Sequence, residues 1–240
     1  MGHEVGIVCF FGLEGNELEW EGMNCYPKLG DAHGNDANHY YINKVKPDLF
    51  ITLYDLWVLD SETGTWGAKW APYFPIDHEI VPPPIISKWS KAWKLQVYSH
   101  FAERKVKELG FEATYLPHAI DCSALYPCTS EEKVALRKSF YPDWPEDAFI
   151  VGMVGANKGW PSRKGFPEAI EAFAVLHQAH PEARLYCHTW IGPEQQGPNL
   201  QEMCRMFGII DYARFANPHR LVAGGYEDEQ LRQLMGTMDV

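Results

Sequence analysis

The sequence predicts an α/β fold in which two units of alternating strands and helices are joined by a proline-containing connection. Three observations support this prediction. Strand and helix signals alternate over residues 5–116, a continuous apolar run follows at Phe149–Gly155, and residues 166–177 place apolar side chains at helical spacing. An apolar run of this kind is typical of a strand in a parallel sheet that is covered on both faces, and such sheets alternate with helices along the chain.

Short apolar runs bounded by turn residues predict the strands of the first unit, and amphipathic stretches between them predict its helices. The predicted strands are Val5–Phe11, Leu49–Leu53, Ala71–Ile76, Leu95–Tyr98 and Thr114–Leu116. The predicted helices are Asp36–Val45, Pro84–Ala92 and His100–Leu109, and Gly110 closes the last of these. This order predicts a mostly parallel sheet.

The second unit opens with the strand Phe149–Gly155, and its first helix begins at Phe166, where Pro167 suits a first helical turn. The remaining predicted elements are the strands Arg184–His188 and Ala213–Phe215 and the helices Leu200–Phe207 and Asp228–Met235. A further helix is predicted within Thr129–Trp144. We therefore expect Rossmann-like domains at residues 1–127 and 148–240, with residues 128–147 connecting them.

Both ends of the chain interrupt this pattern. Residues Met238–Val240 stand where another strand is expected to begin, and a three-stranded half-sheet would leave an exposed edge. Residues Gly2–Val5 have the character of a helix-to-strand turn without the strand and helix that would precede it. We therefore expect an N-terminal domain that lacks its first strand and helix, and a C-terminal domain that stops after about half of its elements.

Composition and charge narrow the class of protein. The 240 residues are 46% hydrophobic and 22% charged, and no window approaches the roughly 18 consecutive apolar residues of a membrane span. The formal net charge of −11 argues against a nucleic-acid partner, because phosphate contacts require a basic surface. The N-terminus shows no secretion signal and the six cysteines show no CxxC spacing, so we expect reduced thiols and a cytoplasmic location.

The loop before the helix at Phe166 has the composition of an anion-binding site. Gly155 and Gly165 allow a ligand to approach the backbone closely, and Arg163 and Lys164 add full positive charges. Backbone N–H groups at a helix N-terminus carry partial positive charge, which favours a diphosphate. The alternative is a solvated basic loop, since clusters of charge commonly lie on exposed faces.

The segments Leu116–Pro127 and Gly155–Phe166 resemble segments of the retaining glycosyltransferases of family 4, also called glycosyl transferases group 1. Leu116–Pro127 is similar to their crossover between domains, Pro-(Asn/His)-Gly-(Val/Ile)-Asp…Phe-x-Pro, with Ala119 in the place of a common glycine. In the loop Gly155–Phe166, Lys164 matches a lysine that the family directs at the donor phosphates. Lys158 stands where the family has arginine, so it offers a point charge and not a bidentate fork. The alternative for Leu116–Pro127 is an ordinary proline-bounded interdomain loop.

A third resemblance lies in Pro75–Glu79, which follows a predicted strand and so belongs at the edge of the sheet where α/β proteins place their sites. His78 resembles a family histidine near the transferred sugar, which implies a catalytic role; the alternative is a structural histidine. Four other residues near strand ends are expected to contact the donor or the acceptor: Asp77, His118, His188 and Thr189.

Two aromatic segments of the first unit have less specific patterns. Tyr54–Trp57 follows a predicted strand and is expected either to line the acceptor cleft or to pack in the core. A basic and aromatic cluster follows at Lys88, Trp89, Lys91, Trp93 and Lys94. Its composition allows peripheral contact with an anionic membrane surface, but we favour an ordinary solvated helix face.

The resemblance to family 4 implies GT-B architecture, with the donor held mainly by the second domain, the acceptor mainly by the first, and transfer with retention of configuration. The expected donor is a nucleotide-diphosphate sugar, and the expected acceptor is a glycan, a lipid-linked or another small molecule. No metal or other cofactor is expected. The sequence lacks the glutamate pair of that family, so we expect little activity from this chain alone. Two alternatives stay open: a non-catalytic nucleotide- or glycan-binding module, and a nucleotide-sugar epimerase of the same architecture.

Overall fold

Parallel β-sheets lie at the centre of two units, which comprise Met1–Ala119 and Ile120–Val240. The structure is a computed structural model that describes residues 2–9, 13–192 and 197–240. The α/β fold with parallel sheets predicted from the sequence is confirmed. The predicted domain limits at residues 127 and 148 stay a prediction, and the predicted connection lies in the second unit.

The first unit begins with a small sheet of three strands, β1 (Gly6–Val8), β2 (Leu18–Trp20) and β3 (Met23–Tyr26). Strand β3 lies in the middle, parallel to β1 and antiparallel to β2. The sequence predicts one strand over Val5–Phe11, of which Phe10 and Phe11 lie outside the described residues. It does not predict the hairpin of β2 and β3, which turns at Glu21 and Gly22 with positive φ at both residues.

The main sheet of the first unit has the strand order β4-β5-β6-β7 and is parallel throughout. Its elements are α1 (Asn35–Val45), β4 (Leu49–Leu53), β5 (Lys69–Phe74), α2 (Pro83–Trp89), β6 (Leu95–Val97), α3 (His100–Glu108) and β7 (Ala113–Tyr115). Each element lies within two or three residues of its predicted bounds. Parallel pairing brings the carboxyl ends of these strands to one edge, where the loops that carry candidate site residues begin.

The core of the first unit contains a lysine. Trp70, Phe74, Trp89 and Val97 are almost fully buried, and Lys88 at the end of α2 is only 7% exposed. The ammonium group of Lys88 donates hydrogen bonds to the carbonyl oxygens of Leu56 and Leu59, which offset the cost of its burial. The prediction of one solvated face for the cluster Lys88–Lys94 is therefore wrong for Lys88 and Trp89, although Trp93 is exposed.

The second unit contains a parallel sheet of order β10-β9-β8. Its elements are α4 (Ser130–Phe140), β8 (Ile150–Val154), α5 (Phe166–Ala179), β9 (Arg184–His188), α6 (Leu200–Met206), β10 (Ala213–Phe215), α7 (Pro218–Val222) and α8 (Asp228–Gly236). The sequence predicts all of these except the short helix α7. Phe166, Ile170 and Phe173 of α5 pack on Leu185 of β9 to form the centre of the core.

Residues after α8 run beside β8, along the edge that β9 does not occupy. The Asp239 N–H donates to the Ile150 carbonyl oxygen at 2.8 Å, and the Gly152 N–H donates to the Val240 carbonyl oxygen at 2.7 Å. Gly152 leaves room for Met238, because a Cβ atom at position 152 would lie 1.9 Å from the Met238 sulfur. Across the described residues, no helix is long and apolar enough to cross a membrane.

Candidate functional site

The loop between β8 and α5 presents three cations near the N-terminus of a 14-residue helix. Lys158, Arg163 and Lys164 are exposed, and none of them pairs with a carboxylate in the part of the chain that the structure describes. Gly165 caps α5 with a left-handed φ of 66°, a conformation that glycine adopts without strain. The first turn of α5 therefore offers free N–H groups beside full positive charges, which suits an anion.

One negative charge shares this region. Glu168 lies in the first turn of α5, and a Cβ atom at Gly165 would lie 3.7 Å from its carboxylate. A carboxylate at this position interacts favourably with the positive end of the helix dipole. It therefore partly neutralises the positive charge that would attract an anionic ligand. Glu168 consequently reduces the net charge that the loop offers to a diphosphate.

Asn157 anchors the cationic loop to the segment after β9. Its side chain is fully buried, and its Nδ2 donates to the carbonyl oxygens of Trp190 at 3.0 Å and Pro198 at 2.8 Å. Its backbone N–H donates to the Thr189 hydroxyl at 2.9 Å. Gly197 packs so closely that a Cβ atom there would lie 2.4 Å from the Asn157 carbonyl oxygen. These contacts hold the start of the loop at a fixed position.

His188 and Thr189, which the sequence predicts as ligand contacts, lie at the end of β9 next to this loop. Thr189 is buried, and its hydroxyl accepts the Asn157 hydrogen bond. His188 is half-buried and hydrogen-bonded through Nδ1 to the Tyr186 hydroxyl at 3.1 Å. Burial lowers the pKa of His188, which favours the neutral imidazole. The Gly155 N–H donates to the His188 carbonyl oxygen, so both strand ends meet here.

A loop after α7 covers the other side of His188. The ring of Tyr226 meets the His188 ring edge to face at 4.7 Å, and the Arg220 guanidinium lies 4.3 Å from the centre of the Tyr226 ring. Arg220 also donates to the Gly225 carbonyl oxygen, which fixes the turn. The roles of Asn157 and Arg220 are not predicted from the sequence, because a buried asparagine and an arginine stacked on tyrosine leave no periodic signal.

In the first unit, the predicted residues Asp77 and His78 follow β5 and touch each other. The Asp77 carboxylate pairs with Nδ1 of His78, and both side chains are exposed. A cleft at this position is lined by residues that follow β4 and β5 and by the start of α2, among them Asp55, Trp57, Ile76, Asp77 and His78. A carboxylate on one ring nitrogen fixes the orientation of an imidazole, which leaves Nε2 for another partner.

His118, the remaining predicted contact, lies at the same edge within an aromatic cluster. Its Nδ1 is hydrogen-bonded to the Tyr73 hydroxyl at 3.2 Å, and its ring lies 4.2 Å from that of Tyr98. The Tyr98 hydroxyl donates to the Tyr73 carbonyl oxygen, and burial raises the pKa of Tyr98 to about 12. These contacts give His118 packing partners of its own. Among the described residues, its ring contacts are with Tyr73 and Tyr98 and not with His78.

Comparison with solved structures identifies proteins of similar fold. A glycosyltransferase from Rickettsia africae ESF-5 matches with a TM-score of 0.60 and 15% identity, and 90% of this chain is covered. Anabaena Alr3699/HepE in complex with UDP and glucose matches with a TM-score of 0.57 and 13% identity over 90% of this chain. The complex of S. aureus MnaA with UDP matches with a TM-score of 0.54 and 12% identity over 85%.

This chain has the fold of these proteins. It spans 58% of the length of each of the three structures. No protein-family model matches the sequence, and no curated protein matches it. The similarity therefore establishes architecture, and arguments about chemistry depend on the residues described above. Among the described residues, no group of three or more His, Cys, Asp or Glu side chains could hold a metal ion.

Proposed function

We propose that this chain belongs to a glycosyltransferase that moves a sugar from a nucleotide-diphosphate sugar to a glycan or other small acceptor, with retention of configuration. The observation that carries the proposal is the set of exposed cations before α5, which have no carboxylate partner among the described residues. The glycosyltransferase fold supports it, as do the two similar structures whose complexes contain UDP. Retention and the family 4 relationship derive from the resemblance of the Leu116–Pro127 and Gly155–Phe166 segments.

In this proposal, Lys158, Arg163, Lys164 and the N–H groups in the first turn of α5 bind the donor diphosphate. The Gly165 N–H already donates to the Ser162 carbonyl oxygen at 3.1 Å, so Gly165 contributes by letting the ligand approach the backbone closely. Negative charge accumulates on that diphosphate as the bond between sugar and phosphate oxygen breaks. Fixed cations and N–H dipoles stabilise the transition state, in which this charge has developed, more strongly than they stabilise the bound donor. The difference lowers the activation barrier. The Asn157 contacts keep the loop in place, so little reorganisation is needed when charge develops.

His78 is the proposed catalytic residue of the first unit. Asp77 holds its Nδ1 side, so Nε2 can hydrogen-bond to a hydroxyl of the transferred sugar or of the acceptor. His118 and His188 are proposed to contact ligand from their respective units. The resemblance implies that no metal takes part, so we expect transfer by the intact enzyme to be unchanged by a chelator. We propose a cytoplasmic location, as the cysteine pattern predicts.

Calorimetric titration with UDP, ADP, GDP and the matching nucleosides tests the donor site. We expect at least one diphosphate to bind while its nucleoside binds much more weakly, because the phosphates provide most of the contacts. Replacing Lys164 by alanine should weaken binding about tenfold or more, the usual effect of losing one charge-assisted hydrogen bond. Glu168→Gln should strengthen binding, because it removes the competing carboxylate. Lys107→Ala, an exposed lysine on α3, is the matched control and should have no effect.

Two results would contradict the donor site. One is the absence of binding by every diphosphate in the series; the other is equal affinity of the Lys164→Ala and Lys107→Ala proteins. Binding without sugar transfer by the intact enzyme would favour a non-catalytic module. Formation of a second nucleotide sugar in the absence of acceptor would favour an epimerase.

A further inference from the structure

The backbone turn that carries the exposed indole of Trp57 is held by buried polar side chains. Trp57 is 66% exposed and lies on a short 3-10 turn, Leu56–Val58, directly after β4. Lys88 donates to the Leu56 carbonyl oxygen at 2.6 Å and to that of Leu59. Asn35 donates to the Val58 carbonyl oxygen at 3.0 Å.

The Asn35 side chain is itself held by further hydrogen bonds. Its Oδ1 accepts a hydrogen bond from the Asp60 N–H at 2.9 Å, and its Nδ2 also contacts the Asp31 carboxylate at 3.2 Å. Both Asn35 and Lys88 are buried. Side chains of this kind are costly to bury, and here they immobilise a turn whose largest side chain lies in solvent. A binding surface needs such a supporting shell, because it holds the ligand-contacting side chain at a fixed position.

Trp57 forms one wall of the cleft after β4 and β5. The buried side chains of Leu56 and Val81 contribute apolar surface to the cleft, and Ile76 extends it. The carboxylates of Asp55 and Asp77 and the imidazole of His78 are the polar groups among the lining residues. The cleft thus combines an aromatic plane with a few convergent hydrogen-bonding groups, the usual composition of a small-molecule site.

The charge of the cleft selects among ligands. Its lining residues include two carboxylates and neither lysine nor arginine. A phosphate, sulfate or uronic acid would meet like charge here, whereas hydroxyl groups can donate to the carboxylates in strong charge-assisted hydrogen bonds. A pyranose ring presents hydroxyls at its rim and a flat C–H face that can lie against an indole. An amino group on the ring would gain further from the two carboxylates.

We propose that this cleft is a subsite for a neutral or amino sugar ring, which stacks on Trp57 and hydrogen-bonds to Asp55, Asp77 and His78. That this sugar is the acceptor of the transfer reaction rests on the proposed function. That a sugar binds in the cleft does not, because it is argued from the lining residues alone. Because the cleft is lined by two carboxylates, it should reject the diphosphate that the cationic loop of the second unit is proposed to bind.

Saturation-transfer NMR with a panel of methyl glycosides tests the subsite. The probes are methyl glucoside, galactoside and mannoside, methyl glucosaminide, and methyl glucuronide. We expect transfer to at least one neutral or amino sugar and none to the glucuronide. Trp57→Ala should weaken binding about tenfold, and Trp57→Phe should retain part of it, because a smaller aromatic ring keeps some stacking area.

Trp93→Ala is the matched control, since Trp93 is a similarly exposed tryptophan of the same unit outside the cleft. The Lys164→Ala protein serves as a second control: it should bind sugars normally while binding diphosphates weakly. The subsite is refuted if Trp57→Ala and Trp93→Ala bind the sugars equally, or if the glucuronide binds as well as the glucoside. If the unsubstituted protein binds sugars but none of the diphosphates, the donor site is contradicted and the subsite stands. Unchanged circular dichroism of Trp57→Ala ensures that a loss of binding is local.

Discussion

Replacing Asn157 by alanine tests how firmly the cationic loop is anchored. The substitution removes two donated hydrogen bonds, to the carbonyl oxygens of Trp190 and Pro198, and leaves the Thr189 contact with the backbone in place. Each such bond contributes about 1 kcal/mol net, and the two carbonyls lose their partner at a buried position, so we expect a loss of about 2–4 kcal/mol in the free energy of unfolding. The buried Oδ1 of Asn157 has no hydrogen-bond partner among the described residues, so its removal relieves a desolvation cost and should keep the loss toward the lower end of this range.

Urea denaturation followed by circular dichroism measures this loss directly. Asn157→Asp keeps the volume of the side chain but places an acceptor against two carbonyl oxygens, so it should destabilise the protein at least as much as alanine does. Asn43→Ala is the matched control, because the Asn43 amide also donates to one carbonyl oxygen but lies at the surface. We expect that control to change the free energy by less than about 0.5 kcal/mol.

Binding should respond together with stability. If the Asn157 contacts hold the loop ready for a diphosphate, the alanine variant should bind UDP or its best analogue several-fold more weakly at a temperature where it remains folded. The reasoning is refuted if the variant unfolds at the same urea concentration as the parent protein. It also fails if the variant is destabilised yet binds the diphosphate with unchanged affinity, because the loop would then not need its anchor.

Three further predictions concern the side chains of Lys88, His188 and Asp239. Lys88→Met should lower the free energy of unfolding in urea by about 1–3 kcal/mol, because two carbonyl oxygens lose their donor. It should also weaken sugar binding at the cleft. A variant with unchanged stability and unchanged sugar binding would contradict this role of Lys88. Because burial lowers the pKa of His188 below its ordinary value of 6.5, unfolding should take up a proton below that pH, so stability should fall as the pH decreases from 6.5. The His188→Asn protein should show a weaker dependence of stability on pH. If the free energy of unfolding changes with pH in the same way in both proteins, His188 is not the cause. Asp239→Asn should lower the melting temperature, because Asp239 accepts from Lys133 and Arg137; an unchanged value contradicts the role of the network.

The strands of the two all-parallel sheets could be predicted from the sequence because each is a short apolar run between turn residues. Arg184–His188, for example, has the same bounds in the structure as in the prediction. The β2–β3 hairpin escaped prediction because its turn consists of Glu21 and Gly22, and glutamate is uncommon at positive φ. Helix α7 escaped because five residues are too few to show a helical period.

The charged part of the candidate site could also be predicted, and its supporting part could not. Lysine and arginine near a glycine before a helix indicate anion binding from composition alone. The partners of Asn157 are 32 to 41 residues away, so they are determined by how two strand ends meet and not by any local pattern. The burial of Lys88 could not be predicted either, because lysine is almost always exposed. Its burial depends on two carbonyl oxygens that lie about 30 residues away in the sequence.

We expect the side chain of Asp239 to acquire its contacts late in the folding of the second unit. It joins the Lys133 and Arg137 side chains of α4 to the Ile150 N–H of β8, across 89 to 106 positions of the chain. Closing a loop of that length costs entropy before any contact rewards it. Helix α4 can therefore acquire its final partners only after the sheet and α8 have assembled, so these ion pairs should slow unfolding while leaving the folding rate almost unchanged.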